Sequence, residues 1–163
     1  MNSVSARLVR IVDSAEANLR QVPDEDSAAP ILQGETTYPC RFGSCKQIVG
    51  HLIDSASNNH QRFVRAALQG SLEFPGYDQD GCVRVQSVQQ APWPALVALW
   101  ASYNRYLAHV IAYLPPEKLA APCRIGSGQP VTLGFLVEDY VNHLLHHLSQ
   151  IGAAPSDEGG TTH

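Results

Sequence analysis

Leu96, Leu99, Trp100, Tyr103, Leu107, Val110, Ile111 and Leu114 return every three or four residues. That spacing gathers them on one face of an α-helix over residues 92–114. Three other stretches carry the same period. Leu8, Ile11, Val12, Ala15 and Leu19 mark a helix over 5–20. Val49, Leu52, Ile53, Ala56, Phe63 and Ala67 mark one over 44–68. Leu133, Leu136, Val137, Tyr140, Leu144, Leu148 and Ile151 mark one over 132–151. Ser44 and Gln47 have capping-box spacing, which sets the start of the second helix. Gly70 and the loop Phe74-Pro-Gly-Tyr-Asp-Gln-Asp-Gly close it, and Pro115-Pro116 stops the third. Residues 22–39 read as a connection, and no segment alternates as a half-buried strand would. Four helices with one apolar face each can bury those faces against one another, so the expected fold is an all-α four-helix bundle. The 163 residues suit one domain over 1–152, with 153–163 as a flexible tail.

A net charge of −4 leaves no cationic surplus for neutralising phosphates, which argues against nucleic acid as the main partner. No apolar run is long enough to span a membrane. Residues 1–7 lack the apolar stretch of a signal peptide, so a cytoplasmic location is expected. In that compartment Cys40, Cys45, Cys82 and Cys123 are expected as thiols rather than bridges. Cys45, in the first turn of the second helix and beside Lys46, is placed to have a lowered pKa.

The chemistry lies in the histidines. His143 and His147 are four residues apart, one turn on one helix face, and both rings can reach a single divalent ion. His147 falls inside the edge of the apolar stripe, His143 just beside it, and His146 outside. Asp139, one turn earlier, is placed to accept the outer N–H of a ligand imidazole. A third histidine, His51, lies off the apolar stripe of its own helix, on a polar side with Ser55, Asn58 and Arg62, with Asp54 nearby. His51 must then face a cleft between helices. Asn58 and Arg62 deeper in that cleft would suit a bound water and an anionic substrate. His60 is expected as a hydrogen-bonded core residue, and His109 and His163 at the surface.

The run from Lys46 through His51 to Phe63, the loop Phe74-Pro-Gly-Tyr-Asp-Gln-Asp, and the run Val137-Glu-Asp-Tyr-Val-Asn-His143-Leu-Leu-His-His147-Leu together resemble the DinB/YfiT-like superfamily. The resemblance covers about residues 42–151. It implies an up-down-down-up four-helix bundle with a three-histidine site for nickel or zinc, whose ligands fall on His51, His143 and His147. Where the family often carries tryptophan before the Ser-x-Lys, this chain has Gly43, with Phe42 beside it. Relatives include enzymes that use low-molecular-weight thiols and others described as metal-dependent hydrolases. The resemblance therefore implies a thiol S-transferase acting on small electrophiles through a metal-bound thiolate. The alternatives are a hydrolase using metal-bound water and a non-catalytic metal-binding bundle. In these readings Arg62 holds a carboxylate of thiol or substrate, Asn58 orients it, and Asp54 or Asp139 assists proton transfer. A small-molecule thiol and an electrophile would be the partners. Family bundles also form homodimers, to which Trp93, Trp100 or His146 would contribute.

Overall fold

The structure is a computed structural model that describes residues 1–31 and 42–155. Four long helices dominate it: α1 (Asn2–Leu19), α3 (Cys45–Gln69), α5 (Trp93–Ala112) and α6 (Leu133–Gln150). Two short helices, α2 (Asp24–Ser27) and α4 (Gln79–Val85), lie in the connections. Helix α1 packs on α5, α5 on α3, α3 on α6 and α6 back on α1, closing a ring around one core. The apolar stripes read from the sequence fill it, except Leu99, which sits at the solvent edge of α5 and is 52% exposed. Leu8, Ile11, Phe63, Leu107, Ile111 and Leu144 have no exposed surface.

The helix starts follow local chemistry. Ser44 Oγ accepts the Gln47 amide, one of those that have no partner at a helix start, and the Gln47 side chain reaches back to accept the Gly43 amide just before the cap. Thr132 accepts the Phe135 amide and caps α6 in the same way. Gly70, at φ 75°, ends α3 in the left-handed conformation that glycine tolerates best.

Two expectations need correction. First, three short strands are present: β1 (Leu72–Phe74), β2 (Pro122–Ile125) and β3 (Val131–Thr132). β1 pairs in parallel with β2, in register Leu72↔Cys123, and β2 pairs antiparallel with β3. Strands of two to four residues are too short to show alternation. They tie the segment after α3 to the segment before α6, and so fix both over one end of the bundle. Second, Trp93 (2% exposed) and Trp100 (0%) are core residues and are not available to a dimer surface. Both lie on the α5 arc that faces the other helices, and Trp93 Nε1 donates to the Leu19 carbonyl at 3.0 Å.

Lys46 also behaves differently from its expected role beside Cys45. It is buried, and its Nζ sits 2.7 Å from the Asp24 carboxylate, which it holds below the usual carboxylate range. Cys45 is half-buried. Cys40 and the tail from 156 onward lie outside the described residues. Ala153, assigned to that tail, is buried against the core.

Candidate metal centre

His51 comes from the second turn of α3, and His143 and His147 from consecutive turns of α6. Because α3 packs directly on α6, the three rings meet, with centroids 4.6–5.1 Å apart. One nitrogen from each lies within 4.8 Å of the others. His51 is fully buried, His147 almost so, and His143 half-buried on the open side. Phe42, at the entry to α3, stacks on His51 at 4.7 Å and covers the inner side. It is the aromatic residue that accompanies Gly43 in place of the family's tryptophan.

This cluster fits a divalent ion on three counts. His51 Nε2 and His143 Nε2 are 3.2 Å apart. Two imidazoles on one tetrahedral zinc, with Zn–N near 2.0–2.1 Å, hold their nitrogens about 3.3 Å apart. Burial, followed by the neighbouring His147 and His146, pushes His143 down to about 4, so it is neutral near pH 7, the form that ligates. His147 Nδ1 lies 2.8 Å from Gln150 Oε1. An amide oxygen can only accept, so Nδ1 carries the proton and Nε2 is the ring's lone-pair nitrogen, the form that ligates. Among the described residues no fourth histidine, cysteine or carboxylate joins the cluster. Three protein ligands with an open position are the pattern of reactive rather than structural zinc sites.

Gln150 is a participant the sequence reading missed. It is buried, and its Nε2 lies 3.3 Å from His146 Nε2 while its oxygen serves His147. The i, i+3 spacing from His147 was the available signal. Gln150→Ala should weaken divalent-ion affinity by about 10–100-fold, as loss of an outer partner does. Competition with a chromophoric chelator measures it.

A cavity of about 290 Å³ adjoins the open side, its wall including Ser55, Asn59, Arg62, Tyr77, Tyr140 and His143. Asp139 is in that wall too, exposed, but the hydrogen-bond contact of His143 Nδ1 is with Ser55 Oγ at 3.5 Å, so serine takes the place expected for Asp139. The polar line along α3 runs Ser55, Asn59, Arg62. Asn59 donates to Ser55, and Arg62 Nη1 donates to Asn59 Oδ1 at 3.4 Å. Asn58 and Asp54 are absent from the wall. The Asn58 amide donates to the Asp54 carbonyl within α3, and the Asp54 carboxylate accepts from Gln86 at 2.8 and 3.0 Å. The rotation of about 100° per residue separates Asn58 from Asn59. His60 Nδ1 meets the Tyr103 hydroxyl at 3.2 Å, as expected for a bonded histidine, and His109 is exposed.

Burial raises the Asp54 carboxyl above its usual value, against the pull of Gln86. Between its unfolded and folded values the folded chain binds more protons, so stability falls as pH rises through that window. Asp54→Asn should therefore raise the thermal midpoint of the metal-free protein at pH 7. The gain should shrink as the pH approaches about 4, near the ordinary carboxylate value. Circular dichroism melts at both pH values test this.

Comparison with known proteins agrees with the fold. A search of curated proteins gives no match. Among solved structures, YfiT from Bacillus subtilis superimposes with a TM-score of 0.73 at 18% identity, over 91% of this chain and 85% of that one. It is described as a probable metal-dependent hydrolase with an unusual four-helix bundle topology. A mycothiol-dependent maleylpyruvate isomerase superimposes with a TM-score of 0.70 at 11% identity, over 95% of this chain and 65% of that one. At such identities these likenesses establish the shared bundle. The family model of the DinB superfamily matches residues 4–151, and with that match the chain belongs to the DinB superfamily.

Proposed function

We propose that this protein is a metal-dependent enzyme that transfers a small thiol onto an electrophile, with His51, His143 and His147 holding nickel or zinc. The observation that carries this reading is the three-histidine cluster, open on the side of a cavity of small-molecule size. A divalent ion held there would act as a Lewis acid, lowering the pKa of a thiol or water at its open position. The chain supplies the rest. Gln150 fixes the His147 tautomer, Phe42 keeps water from the inner side of His51, and Ser55 and Asn59 line the approach to His143. In the transfer, sulfur forms a bond to the electrophilic carbon while the leaving group departs with its electron pair. The thiol proton passes to solvent.

The isomerase that shares the fold uses a thiol, which supports this reading, and the YfiT description supports hydrolysis by an activated water as the second one. Zinc- or nickel-loaded protein, mixed with a panel of low-molecular-weight thiols and 1-chloro-2,4-dinitrobenzene, should form thioether faster than the uncatalysed mixture. Metal-free protein should not. Ester or amide cleavage in the absence of any thiol would instead favour the hydrolase.

A further inference from the structure

Arg62 is the one described cation in the wall of the metal-side cavity, and the protein leaves it largely unused. A guanidinium has five N–H donors. Among the described residues a single one meets a protein acceptor, Asn59 Oδ1, at the long distance of 3.4 Å. Arg62 Nε is buried without a hydrogen-bond partner. Arg62 makes no ion pair among the described residues, and Asp139, the acidic group in the same wall, is solvent-exposed and not paired with it. Arg105 is more exposed, yet it engages both Asp13 and Glu16. A half-buried cation without a counter-charge is costly, and burial pulls Arg62 down from its ordinary value. Phe74 holds it in place, its ring centroid 5.4 Å from the guanidinium carbon. The side chain is thus positioned but unsatisfied.

We infer that Arg62 is an anion subsite that receives the carboxylate of the substrate or thiol, so that the enzyme acts on small carboxylic acids. Arg62 lies seven residues beyond Ser55, about 10 Å along the α3 axis. Ser55 itself abuts His143. A molecule with its acid group on Arg62 therefore extends its other end toward the histidines. The planar fork suits a carboxylate, and the cavity volume suits a metabolite-sized one. The identity of the reacting end rests on the proposed function. Recognition of the anion does not.

The probes are 3-mercaptopropionate and its neutral isostere 3-mercaptopropanamide, each titrated by NMR into metal-free and into zinc-loaded protein. In the metal-free protein the carboxylate should bind about tenfold more tightly than the amide, a charge-assisted preference. Arg62→Gln should bring the ratio to about one. Arg62→Lys, which keeps the charge and loses the fork, should leave an intermediate ratio, and it decides the matter if the glutamine variant does not fold. Equal binding of the two probes, or a preference that survives both substitutions, overturns the subsite. If zinc does not bind, the metal-free titration still decides the subsite, and only the enzymatic reading fails. If zinc tightens both probes equally and no preference for the acid exists, the subsite alone fails.

Discussion

Alanine at both His143 and His147 should take the protein from about one bound zinc or nickel to none, because His51 alone offers one of the three or four donors such an ion requires. Each single substitution should lower affinity by more than the roughly 100-fold that loss of an outer partner costs. Elemental analysis after gel filtration, with chelator competition for the single variants, measures both. Retention of a full equivalent by the double variant would remove the site from these residues. A second readout separates site chemistry from damage to the fold. In the metal-free protein His143 titrates at about 4, below its ordinary 6.5, because it is buried beside other imidazoles. Between those values the unfolded chain binds more protons than the folded one, so stability is complete above about pH 6.5 and is lost as the pH falls toward 4. The double variant lacks this term. Its thermal midpoint should fall less than that of the metal-free wild type between pH 7 and pH 5. A variant that had merely lost packing would be shifted down equally at both.

How much of this centre was legible from sequence depends on how many helices each residue answers to. His143 and His147 belong to one helix, and their spacing alone sets their mutual geometry. His51 is harder. It lies off the apolar stripe of α3, yet it is fully buried, because α3 is wedged between α5 and α6 and its covered arc is wider than one stripe. The same widening puts Asn59 rather than Asn58 in the cavity wall. Trp93 and Trp100 were likewise offered to a dimer surface, Trp100 despite its place on the apolar stripe of α5, because the breadth of the contact made by α5 is a property of its neighbours. The four long helices came within a few residues of their observed ends, because capping and proline signals are local. The three-strand tie did not emerge, since pairing Leu72 with Cys123 is a long-range choice made in segments too short to carry a period.

Tyr140 shows how the core and the cavity share one residue, and its substitutions should separate packing from hydrogen bonding. The side chain is 2% exposed, packs edge-to-face on Phe63 at 6.0 Å, and also lines the cavity beside His143. Its hydroxyl donates to Asn104 Oδ1, and the Asn104 amide donates to the Trp100 carbonyl at 2.8 Å. Burial pushes the phenol well above its ordinary range, so it stays a neutral donor rather than a base. Tyr140→Ala removes a buried aromatic ring and should cost about 3–5 kcal/mol. Tyr140→Phe keeps the ring and orphans the buried Asn104 oxygen, for about 1–3 kcal/mol. Asn104→Leu orphans the phenol instead, at a similar cost of about 1–3 kcal/mol. Combining Tyr140→Phe with Asn104→Leu removes both partners, so the double variant should lose clearly less than the sum of the singles, a coupling within the usual range of about 0.5–3 kcal/mol for residues in contact. Urea unfolding of the wild type, Tyr140→Phe, Asn104→Leu and their combination measures the cycle. Strict additivity would mean that the buried bond contributes nothing beyond the two side chains' packing. Tyr140→Phe should also retain metal affinity, because the cavity wall keeps its shape. Tyr140→Ala opens a void beside His143 and should loosen the ring that the site needs held in place, so a metal affinity unchanged in the alanine variant would show that His143 is positioned by Ser55 and α6 alone.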